Sequence, residues 1–267
     1  MAKTAPEPTR ASTQGGAMEF EQPLSERMRT FLRIEFLYQQ ALFHARDLTG
    51  FSARAAVTTL LEILAILNRG DIRGEVLKEL ERHAGLLASY ARQPDVDLEH
   101  IQRLIDNVDT LRSALVEARP QILNSVRECE FLNTIRQRSS IPGGTCMFDL
   151  PDYGFWLRLP LVDRTEQFEN WADALRPVCD GVAEVLWLTR QANEPVAQIA
   201  NGGMYQYHMD RNEKPTMVRV IVSPDTGAFP EISAGRHRFT VRFITWAGID
   251  VRPRQVTDDV PFQLAVC

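Results

Sequence analysis

At 267 residues, 44% apolar and 24% charged, the chain has the balance of a folded globular protein and the length to bury a core without disulfide or metal staples. A formal net charge of -5 argues against a general polyanion binder, so any basic site is a local patch. Cys129, Cys146, Cys179 and Cys267 show no CxxC spacing, which speaks against a zinc knuckle or thioredoxin-like motif and fits reduced thiols in the cytosol. The apolar stretch from Ala55 to Asn68 contains Glu62 and falls short of the roughly 20 apolar residues of a spanning helix. The N-terminal residues lack the apolar centre of a signal peptide, so neither a membrane span nor export is expected. Residues 1–17, rich in Pro, Thr, Ser, Gln and Gly, read as a disordered extension.

From Leu24 to about Thr189 the dominant period is helical. Ser25 is placed to cap a helix through Ala45, with Met28, Phe31, Leu32, Phe36 and Leu37 on a wide buried arc and Glu26, Arg29 and Arg33 on another face. Asp71 opens the next periodic run, in which Val76, Leu80, His83, Leu87 and Tyr90 form a coiled-coil-like seam. A turn at Gln93 to Asp97 leads to Ile101, Leu104, Val108, Leu111 and Leu115, ended by Pro120; the two helices are expected to form an antiparallel hairpin. A further helix from about Asp163 to Ala192 carries Phe168, Trp171, Leu175, Val178, Val182 and Val185, with a kink expected at Pro177.

After Glu194 the period becomes two. Val218, Val220 and Val222 alternate with Met217, Arg219 and Ile221, and Phe262, Leu264 and Val266 make a last strand. Between Arg236 and Trp246, Phe239, Val241 and Phe243 occupy one face while Arg236, Arg238 and Arg242 occupy the other. A short strand at Cys146 to Leu150 is a candidate addition. The expected class is α+β: a mostly helical domain over 18–193 with an antiparallel helical hairpin, and a smaller antiparallel β domain over 194–267, with the segment around 141–152 a candidate contributor to the sheet.

The arginine strand face is the sharpest local feature, because adjacent guanidiniums repel unless something anionic lies nearby. It reads either as a carboxylate-binding surface or as a solvated face neutralised by neighbouring Asp and Glu. Arg29 with Arg33, Arg69 with Arg73, and Arg136 with Arg138 are further basic pairs, each open to the same two readings. Ile141-Pro142-Gly143-Gly144 lacks the GxxxxGK[ST] signature and reads as a structural turn rather than a phosphate loop. Cys146 with His208 or His237 has no nucleophile signature around it, and the five histidines lack ligand spacing, so no catalytic residue, metal or cofactor is expected. Trp156, Trp171, Trp187 and Trp246 read as packing residues rather than a base-stacking platform.

Several segments nevertheless resemble the ZapD family of bacterial cell-division proteins. They run from Glu21-Gln22-Pro23-Leu24-Ser25-Glu26-Arg27-Met28 through Arg69-Gly70-Asp71-Ile72-Arg73, Arg136-Gln137-Arg138, Ser140-Ile141-Pro142-Gly143-Gly144 and Phe148-Asp149-Leu150-Pro151. Asn201-Gly202-Gly203-Met204-Tyr205-Gln206, Arg238-Phe239 with Arg242-Phe243, and Pro261-Phe262-Gln263-Leu264-Ala265 complete the series, so the resemblance covers about residue 18 to the C-terminus. It implies a homodimer that acts at the mid-cell division site in the cytoplasm, binds the C-terminal tail of FtsZ through a basic surface and bundles FtsZ filaments. Arg33, Arg69, Arg136, Arg138, Arg238 and Arg242 match the family's basic positions. The chain departs from the family at Glu130 and Gly154, where relatives carry Arg and His. Neither an enzymatic role nor a membrane or nucleic-acid partner is implied; a nucleic-acid-binding regulator using the same arginine face is the competing reading, against which the acidic balance counts.

Overall fold

The computed structural model describes residues 16–94, 96–118, 120–210, 215–235 and 237–267, with the side chains of 120–122 left aside. The expected extension thus lies outside the described residues for 1–15, as do Asp95 in the expected turn and Arg236 on the arginine face. The chain divides into two compact units, Met1–Arg29 with Thr189–Cys267, and Thr30–Leu188.

Helices α1 (Glu26–Ala45), α2 (Gly50–Leu67), α3 (Ile72–Tyr90), α4 (Leu98–Glu117), α5 (Pro120–Arg127), α6 (Glu130–Arg138), α7 (Pro151–Trp156) and α8 (Leu161–Gln191) account for the helical part. Three of them, α1, α3 and α4, start at a side-chain oxygen that takes up an amide with no intrahelical partner. Ser25 Oγ accepts from the Met28 amide at 3.2 Å, Asp71 Oδ1 from Gly74 at 3.0 Å and Asp97 Oδ1 from His100 at 2.9 Å. The expected hairpin is α3 against α4: Arg112 pairs with Glu81 at 3.2 Å and the Arg73 guanidinium donates to the Val116 carbonyl at 3.0 Å, which fixes the antiparallel sense. Val76, Leu80, His83 and Leu87 are buried, as are Val108 and Leu115 on α4, whereas Tyr90, expected in the seam, is exposed.

On α1 the buried arc is narrower than its periodicity suggests: Met28, Phe31 and Ile34 are buried and Phe36 is exposed. Helix α2, at 18 residues with mean hydropathy 1.5, is long and apolar enough by length and composition to cross a membrane. Its Ala53, Ala56, Leu60, Ile63 and Leu64 nonetheless sit buried in the protein, as in a core helix. Helix α8 continues through Pro177. Gly181 lets it approach α3 and α4 closely, since a Cβ there would lie 2.8 Å from Val76 Cγ1 and 3.1 Å from Leu115 Cδ1. Trp156 and Trp171 pack as expected, with ring centroids 5.7 Å apart beside Phe131 and Tyr153. Trp246, in contrast, is exposed.

The strand expected at Cys146 to Leu150 does not form. Gly144 donates to the Ile141 carbonyl, Cys146 to Gly143 and Leu150 to Cys146, each at 2.9 Å, so these amides close local turns instead of joining a sheet. The segment around 141–152 therefore contributes turns and the start of α7.

The other unit contains β1 (Met18–Pro23), β2 (Val196–Ala200), β3 (Met204–His208), β4 (Met217–Val222), β5 (Ala228–Ala234), β6 (Arg238–Thr245) and β7 (Val260–Val266). They make two antiparallel sheets where one was expected, four-stranded β1-β4-β7-β2 and three-stranded β3-β6-β5. Val218, Val220, Phe239, Val241, Phe243, Phe262 and Leu264 pool into one core drawn from both sheets. The N-terminal strand β1 is held by charge as well as by its ladder: Arg190 grips Glu21 with two bonds of 2.7 and 2.8 Å, and Arg219 pairs with Glu19.

Two measurements check this packing. Gly181→Val forces a branched side chain into the contact with Val76 and Leu115 and is expected to lower the unfolding free energy by about 2 kcal/mol in urea denaturation, while an unchanged midpoint would contradict the close approach. His83 is buried, and burial, reinforced by the Arg82 guanidinium and opposed by Glu79, pushes its pKa down from 6.5 to about 4. The unfolded chain therefore binds the proton near pH 6.5 and the folded one only near 4, so this group's contribution to stability is full above 6.5 and falls as pH drops between those values. Comparing His83→Leu with the parent at pH 7 and pH 5 should show a smaller loss of stability on acidification in the variant.

Candidate functional site

The three-stranded sheet keeps one face in the core and turns the other outward. On β6, Phe239, Val241 and Phe243 are buried while Arg238 and Arg242 are exposed, the alternation that a half-buried strand imposes. Register decides their neighbours. Arg242 lies between Met204 on β3 and Glu231 on β5, and Arg238 lies opposite His208 on β3. Arg242 bonds Glu231 at 2.5 Å with both side chains about half exposed, so this carboxylate neutralises part of the face. Arg238 has no carboxylate partner among the described residues.

Met204 owes its place to a tight turn. Gly202 and Gly203 adopt φ of 54° and 72°, the left-handed region that glycine enters without penalty. A Cβ at Gly203 would stand 2.3 Å from the Val256 carbonyl oxygen, so no side chain fits there. Asp259 accepts from the Gly202 amide at 2.9 Å, and Gly203 accepts from the Phe243 amide at 2.8 Å. The turn thus carries the chain from β2 in one sheet to β3 in the other. Alongside it opens a groove of about 1240 Å³ lined by Ala197, Ile199, Met204, Ile221 and Pro261, with no charged residue on its walls. Met204 belongs to this groove and faces Arg242 across the strand pair, so apolar and basic surfaces adjoin within one unit.

The sequence singles out the arginines but not Glu231, the groove or β1. The uncharged run Val196 to Ala200 and the double glycine after it are the only local signs of the groove.

In the helical unit, Arg33 on α1, Arg69 after α2, and Arg136 and Arg138 in the last turn of α6 are exposed, and none has a carboxylate partner among the described residues. Several other arginines are neutralised. Arg29, Arg82, Arg103, Arg112 and Arg176 pair with carboxylates, and Arg190 and Arg219 are part-buried braces of β1. Apart from Arg242, the arginines chosen from the sequence are thus not neutralised among the described residues, a property they share with exposed Arg46, Arg92, Arg252 and Arg254. Of the departures noted in the sequence, Glu130 is exposed in the first turn of α6, and a Cβ on buried Gly154 would meet Met147 Cγ at 2.5 Å, so a larger residue there requires Met147 to move.

Among the described residues nothing resembles an activated nucleophile. Burial pushes the thiols of Cys179 and Cys267 up, away from the thiolate, and Cys146 Sγ donates to Asp149 at 3.3 Å. Among the described residues no cluster of three His, Cys, Asp or Glu could hold a metal ion.

Residues 32–242 match the family described as ZapD, a cell division protein. The chain is similar to the cell division protein ZapD of Methylococcus capsulatus, at 39% identity over 93% of this chain and 97% of that protein. It is likewise similar to the ZapD proteins of Escherichia coli K12, at 37%, and of Janthinobacterium, at 34%, each over 93% of this chain and 98% of the relative. These relatives are named as division proteins and not as enzymes. By the extent of the family match and the coverage of these relatives, this chain belongs to the ZapD family of cell-division proteins.

Proposed function

We propose that this protein is a cytoplasmic division adaptor that binds the C-terminal tail of FtsZ and cross-links FtsZ filaments at mid-cell. The observation that carries the reading is the outward face of β6, which exposes Arg238 and Arg242 and where Arg242 adjoins, through Met204, an uncharged groove of apolar and amide side chains. Guanidinium forks suit the carboxylates of an acidic peptide, and the groove suits its apolar side chains. Exposed arginines without carboxylate partners at Arg33, Arg69, Arg136 and Arg138 add basic charge for the same class of ligand. A homodimer presents two such surfaces, so each copy holds a tail from a different filament, and a polymer that displays many tails is gathered by avidity. Bundling then follows from valence and needs no covalent chemistry.

The local ion pair yields a signed test. Glu231 competes with the peptide for Arg242, so Glu231→Gln is expected to tighten binding of a fluorescent FtsZ-tail peptide several-fold, whereas Arg238→Glu and Arg242→Glu are each expected to weaken it by about tenfold. All three should keep the parent's circular dichroism and melting temperature, since these side chains are exposed. Unchanged affinity in both arginine variants would remove the basic face from the site. Raising salt from 50 to 300 mM is expected to weaken the parent complex and to affect Arg242→Glu less.

A further inference from the structure

Sheet edges are normally blunted, because a row of unpaired amides and carbonyls is a template for another chain. In the four-stranded sheet one edge, β1, carries Glu19, Glu21 and Pro23. The other edge, β2, reads Val-Ala-Gln-Ile-Ala, with no charge and no proline. It pairs with β7 on one side, and among the described residues no strand pairs with its other side. Val196 and Ile199 are 59% and 57% exposed, so β2 offers apolar side chains on both faces as well as a free backbone edge.

Each face of this strand opens onto a hollow. Ala197 and Ile199 line the groove of about 1240 Å³ beside Met204, Val196 lines a second hollow of about 500 Å³ together with Glu194, Tyr207 and Leu264, and Gln198 borders both. A chain laid along the free edge would send alternate side chains into the one hollow and the other, as strand period requires. Five residues of such a strand would span roughly 17 Å. The larger groove is uncharged, and Arg242 stands at its Met204 side, so a strand bearing apolar residues with acidic ones beside them is complementary to it.

We infer that an extended acidic and apolar peptide docks by adding a strand to the free edge of β2, its main chain bonding to β2 and its carboxylates meeting the arginine face. The identity of the peptide as the FtsZ tail rests on the function proposed above; the strand geometry does not.

The test uses the full-length protein and three synthetic FtsZ-tail peptides: one unmodified, one N-methylated at odd positions through its apolar core, and one at even positions. In strand addition only every second amide faces β2, so one methylated peptide should lose more than about tenfold in affinity and the other should bind nearly as the parent does. Equal affinities for all three, or equal losses for both methylated forms, would overturn strand addition while leaving tail binding in place. Failure of the unmodified peptide to bind would overturn the tail reading and this docking mode with it. Ile199→Asp supplies the second arm, with sedimentation velocity alongside the titration. Weaker peptide binding with an unchanged oligomer supports the inference, whereas dissociation of the oligomer with unchanged peptide affinity would assign the edge to a second copy of the chain and overturn it.

Discussion

At Gly203 the backbone runs so close to the Val256 carbonyl that no side chain can be accommodated, and its positive φ favours the same residue. Around this contact the chain leaves the four-stranded sheet, crosses to the three-stranded one and pairs β3 with β6. The sandwich core, the placement of Met204 beside Arg242 and the unpaired edge of β2 all follow from that crossing. Had β3 continued in the sheet of β2, the groove and the basic face would not adjoin.

The arginines separate by environment into two sets. Arg190 and Arg219 are part-buried and satisfied by Glu19, Glu21 and a backbone carbonyl, so their charge is committed to holding β1. Arg238 and Arg242 stand on an exposed face where even the Arg242–Glu231 pair is open to solvent, so it holds little stability and yields easily to a competing carboxylate. Charge that contributes little to folding is available for binding.

Much of the fold was legible because local chemistry and period agree. Ser25, Asp71 and Asp97 cap helices, the α3–α4 stripe packs as a hairpin, and the β6 alternation places its phenylalanines inward and its arginines outward. What was missed depends on contacts distant in sequence. Strand β1 takes its ladder from β4, about 200 residues away, and Glu21 meets Arg190 across a separation of 169. Phe36 has a core residue's chemistry and helical phase but is exposed, because its surroundings rather than its period decide burial. The groove is likewise the joint product of strands that no short window of sequence contains, and Glu231 becomes a neighbour of Arg242 only through the β5–β6 register.

The most direct test is co-sedimentation of this protein with polymerised FtsZ from the same organism, comparing intact FtsZ with FtsZ lacking its C-terminal tail. Tail-dependent pelleting, with bundles in the electron microscope only for intact FtsZ, is the expected result. Equal pelleting with both forms would place the contact on the FtsZ globular domain and contradict the tail-binding account.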